Sequence, residues 1–98
     1  MAIKIIKMVS GDEIICECIE EESYIVMKNP HQISMVPSHS GQPAFGLLPY
    51  PISSNDKEIK VKQEFVILVC NPIEDFVVQY KSITGVGIMI PHKDIILG

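Results

Sequence analysis

Cys16 and Cys18 form a C-x-C pair that could present two thiolates to a metal, with Cys70 and one of His31, His39 or His92 completing the set. The pair is too sparse for a zinc signature. Strand alternation also puts both sulfurs on the same side as Ile14, so they read as buried, free structural thiols. The three histidines are scattered through loops and tail, with neither a Ser/Cys-His-Asp arrangement nor an H-E-x-x-H motif around them. Glu20, Glu21 and Glu22 offer carboxylates to a hard cation, but a charged run between two strands reads as a solvated corner. Gly85-Val86-Gly87 follows a helical segment instead of opening one, so it is no phosphate loop. The expectation is a protein with no catalytic residue, metal ligand or cofactor, one that assembles or binds.

All eight basic residues are lysines, and the net charge is −4. Without arginine the bidentate contacts to phosphate and guanine are missing, although a local lysine group can still attract phosphates. Lys28 and the group Lys57, Lys60 and Lys62 are the candidates. An odd number of cysteines with no signal peptide predicts a reducing cytoplasm, and no apolar run approaches the ~20 residues that span a bilayer.

The elements that must position these side chains are mostly strands. Ile3 to Val9 is short and β-branched and stops at Ser10-Gly11-Asp12; Glu13 to Glu20 alternates. After the acidic turn, Tyr24 to Lys28 and Ile33 to Val36 form a third strand interrupted at Asn29-Pro30, where proline bends it or sets it at an edge. Pro37 to Asp56 is a Ser/Gly/Pro-rich excursion with an apolar island from Ala44 to Leu48. Glu58 to Lys62 alternates, and Phe65 to Cys70 reads as a buried run. Strands are thus expected over about 2–9, 12–20, 23–37, 43–49 and 58–70.

From Asn71 the period changes. Asn71 is the expected N-cap, Pro72 the first helical position and Glu74 the N3 residue, with Ile73, Phe76, Val77, Tyr80 and Thr84 on one stripe and Gly85 closing a helix over about 72–84; a β-hairpin turning at Asn71-Pro72 is the alternative. Ile88 to Gly98 is apolar without a clear period and is expected to pack on a neighbouring surface. The whole chain, 1–98, reads as a single domain.

The stretch from Gly11 to Val26 resembles the first Sm motif of the Sm-like family, which includes Hfq. Gly11 matches the turn glycine, Ile14 the aliphatic position, Cys16 the small one, Cys18 the next apolar one, Glu22 the acidic one and Tyr24 the aromatic. Val26 stands where many members carry asparagine, the arginine-glycine second motif is absent, and a helix follows the last strand instead of preceding the first. This combination is similar to the divergent Sm-like proteins of marine cyanophages. The resemblance implies a strongly bent five-stranded antiparallel Sm-like barrel or sheet with a C-terminal helix, in a homo-oligomeric ring. It also implies RNA or single-stranded DNA bound near the pore, in phage or host nucleic-acid processing.

The physical reading leads to a ring as well. A domain this small buries only roughly 60 to 65% of its unfolded surface, and 47% of its residues are hydrophobic, so some apolar surface is left for a partner. A bent sheet leaves two unpaired edges, and joining edge to edge around a closed cycle of about five to seven copies satisfies both. Two functions remain open. In one, Tyr24 stacks on bases while Lys28 or Lys57, Lys60 and Lys62 meet phosphates. In the other, the chain is a structural or protein-binding accessory without a nucleic-acid ligand. Lysines gathered on one face favour the first, and lysines dispersed among carboxylates favour the second.

Overall fold

The computed structural model describes residues 2–86. The first hairpin follows the alternation of its sequence. β1 (Ala2–Met8) pairs antiparallel with β2 (Glu13–Glu20), with Ile6 opposite Ile14 and Ile5 opposite Ile15. Gly11 turns the chain at a φ of 97°, a conformation that side chains rarely adopt, and its N–H donates to the Met8 carbonyl at 2.8 Å.

β3 (Tyr24–Val36) runs through the expected interruption at Asn29-Pro30 as one strand. The pairing with β2 shifts between Ile15 and Glu17, and Asn29 takes a φ of 50°, so one extra residue of β3 is accommodated as a bulge. The bulge reverses which way odd-numbered side chains face. Ile25 and Met27 enter one core cluster, whereas Ile33 enters the cluster on the opposite face. Pro30, which has no N–H to offer a ladder, sits where β3 changes partner: its first half pairs with β5 (Glu58–Lys62) and its second half with β4 (Ala44–Pro49).

The expected last strand from 58 to 70 is two strands. A 3-10 turn at Gln63–Phe65 separates β5 from β6 (Val66–Cys70), and β6 pairs with β1. Among the described residues the sheet therefore has six strands where five were expected, in the order β4-β3-β2-β1-β6 with β5 beside β3. Laid flat, β5 and β6 would lie four strand spacings apart, roughly 19 Å. The chain from Lys62 to Val66 reaches at most ~14 Å. The sheet must curl to let the turn connect them. The Gln63 N–H to the Ser23 carbonyl (3.0 Å) and the Val9 N–H to the Phe65 carbonyl (2.8 Å) tie the turn to both rims. No ladder joins β5 to β6, so the sheet is not closed into a barrel.

The curl creates two apolar layers. Inside it, Ile6, Met8, Ile14, Cys16, Ile25 and Met27 pack with Ile59 and Val61 of β5 and Val66 and Val69 of β6. Strands from both ends of the sheet reach this layer, which is why it is the concave one. On the other face Ile5 and Ile15 pack beneath the fully buried Tyr80 of α1 (Glu74–Thr84).

α1 starts later than its sequence predicts. Ile73 is the N-cap without a side-chain cap, and Ile73 is 64% exposed, off the packed stripe. The side chain expected to cap, Asn71, instead accepts a hydrogen bond from Lys4 Nζ at 2.7 Å, which draws it to β1 and leaves Pro72 outside the helix. Gly85 does close the helix, in the left-handed conformation. The run Phe65 to Cys70 is also less covered than expected. Phe65, in the 3-10 turn, is exposed, as are Ile67 and Leu68 on β6, which among the described residues has a neighbour on one side only. Ile88 to Gly98, His92 among them, lies outside the described residues. No helix among the described residues is long and apolar enough to cross a membrane.

Candidate nucleic-acid interface

On β5 the residues alternate cleanly: Ile59 and Val61 go into the concave core, so Glu58, Lys60 and Lys62 face outward. Antiparallel pairing sets Lys62 opposite Tyr24, Lys60 opposite Val26 and Glu58 opposite Lys28. Cross-strand partners share a face, so Tyr24, Lys60, Lys62 and Lys28 lie on one outer surface. The Tyr24 ring is 38% exposed, and Lys60 Nζ stands 5.8 Å from its centroid, within cation–π range.

Tyr24 is held by a residue that sequence reasoning missed. The acidic turn closes through the Glu21 N–H to the Tyr24 carbonyl at 2.8 Å. The Gln63 side-chain amide donates to the Glu21 carbonyl and, at 3.3 Å, to the Tyr24 carbonyl. The 3-10 turn thus clamps the base of the aromatic residue. Nothing local in the sequence signals this, because the partners are some forty residues apart.

The lysines are gathered but not all free. Lys28 pairs with Glu58 at 3.8 Å and Lys60 with Glu21 at 3.7 Å, both at exposed sites. Lys62 and Lys57 make no ion pair among the described residues. Lys57 is set apart from the others: its carbonyl accepts the Asn29 N–H at 2.7 Å, and it lines a cleft at the opposite end of β5 from Tyr24. Exposed ion pairs of this length contribute at most about 1 kcal/mol each, so a phosphate can displace the carboxylates.

The cysteines do not converge on a site. Cys16 is buried and Cys18 half-buried beside the concave core, whereas Cys70 is exposed on β6. Cys18 is less covered than the alternation predicts, since it lies toward the open end of β2. Burial pushes both thiols up, most strongly Cys16, which keeps them protonated at neutral pH. Of the histidines, His31 is a strand residue and not a loop residue. Its Nδ1 donates to the Asn29 carbonyl at 3.0 Å and its ring packs edge-on against Tyr80.

No protein-family model matches the chain, and no curated protein matches it significantly.

Proposed function

We propose that the chain is the subunit of an Sm-like homo-oligomeric ring that binds single-stranded RNA or DNA and serves as a scaffold in nucleic-acid processing. The observation that carries this reading is the outer face on which Tyr24 lies opposite Lys62 with Lys60 at its ring. An exposed aromatic plane beside cations supplies both parts of sequence-tolerant strand binding: stacking worth roughly 1 to 3 kcal/mol per base, and attraction for the backbone. The Gln63 clamp adds to it by fixing Tyr24 before any ligand arrives.

Assembly draws support from the sheet edges. Among the described residues β4 and β6 end the strand order, and both display apolar side chains, Phe45 and Leu48 on one and Ile67 and Leu68 on the other. An unpaired apolar edge invites another strand. Joining β6 of one copy to β4 of the next around a closed cycle covers both edges without forming a fibre.

The ion pairing of Lys28 and Lys60 favours a second reading, a structural or protein-binding accessory with no nucleic-acid ligand. Fluorescence anisotropy with short labelled RNA and DNA strands at low salt separates the two. Under the binding reading Tyr24→Ala weakens affinity about ten-fold while mass and melting temperature hold, because only stacking is lost. With two or three lysines per subunit on phosphates, log K falls with log salt at a slope of about −1.5 to −2. Absence of binding by the wild type at low salt leaves the accessory reading standing.

A further inference from the structure

At the far end of β5 from Tyr24, a loop folds back over the bulge of β3. The Tyr50 N–H donates to the Pro30 carbonyl at 3.0 Å, and the Asn29 N–H donates to the Lys57 carbonyl at 2.7 Å, so both ends of the 50–57 loop are fastened to the bulge. Inside the loop the Ser54 N–H reaches the Pro51 carbonyl and the Asp56 N–H reaches Ser54 Oγ, each at 3.0 Å. A loop fixed at both ends and braced across its middle holds its shape without a ligand, which lowers the ordering cost of binding. The cleft it encloses against the bulge measures about 250 Å³. That is just below the ~300 to 1,000 Å³ typical of drug-sized ligands, a fit for one heterocycle and its sugar.

The lining narrows the chemistry. Pro30, Pro49 and the Tyr50 ring are flat and largely apolar, whereas Asn55 and Asp56 present hydrogen-bonding groups. Among the described residues Lys57 is the one cation lining the cleft, and Asp56 offsets it, so these residues bring no net positive charge to recognise a phosphate. Of these side chains the Asp56 carboxylate can only accept, which suits a planar ring that donates hydrogen bonds. Adenine and cytosine do so through exocyclic amino groups, where uracil and thymine present a carbonyl.

We propose that this cleft is a nucleoside subsite selective for amino-bearing bases, with the base against Tyr50 and the prolines and its amino group on Asp56. It stands apart from the strand-binding face, since a free nucleoside needs neither Tyr24 nor the ring. The test is a 15N-resolved NMR titration of the wild-type protein with adenosine, cytidine, uridine and ribose 5-phosphate. Saturable shifts at Tyr50 and Asn55 to Lys57 are expected with adenosine and cytidine, at least ten-fold tighter than with uridine. Ribose 5-phosphate is expected to cause none. Asp56→Ala is expected to weaken adenosine about ten-fold with the remaining spectrum and the melting temperature unchanged, whereas Tyr24→Ala leaves nucleoside binding intact. The proposal is overturned by any of three results: no saturable shift at the cleft, uridine or ribose 5-phosphate binding as well as adenosine, or full affinity in Asp56→Ala. Strand binding without nucleoside binding removes the cleft and spares the strand-binding face; nucleoside binding without strand binding does the reverse.

Discussion

The Tyr80 hydroxyl lies 3.0 Å from the Asn29 carbonyl oxygen and donates a hydrogen bond to it, shared with the Lys28 carbonyl at 3.1 Å. A helix fifty residues further on thus supplies a donor to both carbonyls at the bulge, of which the Asn29 oxygen also accepts from His31 Nδ1. Tyr80 is fully buried, so water cannot replace its hydroxyl. Tyr80→Phe keeps the ring and removes the donor, and is expected to cost about 1 to 3 kcal/mol, the range for a buried acceptor left without a partner. Urea unfolding measures it; an unchanged midpoint would mean the bulge does not depend on the helix.

Alkaline pH is expected to destabilise the fold. Burial raises the Cys16 thiol and the Tyr80 hydroxyl well above their ordinary values of 9.0 and 10.0. Below pH 9 both states hold these protons and the stability is fully present. Above it the unfolded chain releases them while the folded chain does not, so stability falls by up to about 1.4 kcal/mol per pH unit per group. Urea midpoints from pH 8 to 11 test this, and a flat profile contradicts it. Cys16→Ala moves the onset from the thiol's range toward that of the tyrosine.

The three thiols are expected to react in order of exposure. Cys70 labels at once, Cys18 more slowly, and Cys16 only on unfolding. Mass spectrometry after timed alkylation reads the order. In an assembled ring whose β6 edge is covered, Cys70 slows on oligomerisation, so dilution that dissociates the ring speeds its labelling.

Phe76 packs edge-on against Phe45 with ring centroids 5.8 Å apart, and it is half-buried. Phe76→Ala is therefore expected to cost about 2 kcal/mol, less than the roughly 3 to 5 kcal/mol of a fully buried aromatic. A thermal melt reports it. No loss at all would show that the start of α1 is not docked on β4.

Much of the strand pattern was legible locally. Ile5, Ile6, Ile14 and Ile15 alternate across a hairpin whose turn is written in Ser10-Gly11-Asp12. Asn29-Pro30 marked a discontinuity, but not that the bulge reverses the side-chain pattern, so that Met27 and Ile33, both odd, face opposite layers. The split of the last strand was hidden because Gln63-Glu64-Phe65 has no Gly or Pro to announce a turn; tertiary closure of the curl imposes it. Local sequence makes Asn71 a cap, but Lys4 on β1 takes its side chain instead. The candidate site was half legible. Tyr24 and the lysines stand out by type, but the face that Tyr24 shares with Lys28, Lys60 and Lys62 depends on the register between β3 and β5, which no local pattern encodes. The cleft was missed because its loop read only as a polar excursion.

The ring with its bound strand is tested most directly by size-exclusion chromatography with light scattering, run at low salt with and without a short single-stranded oligonucleotide. The expected result is a particle of about five to seven copies of the 10.9 kDa chain that co-elutes with the oligonucleotide and releases it as salt is raised. A monomer at micromolar concentration, or a ring from which the oligonucleotide elutes separately at low salt, would contradict the account.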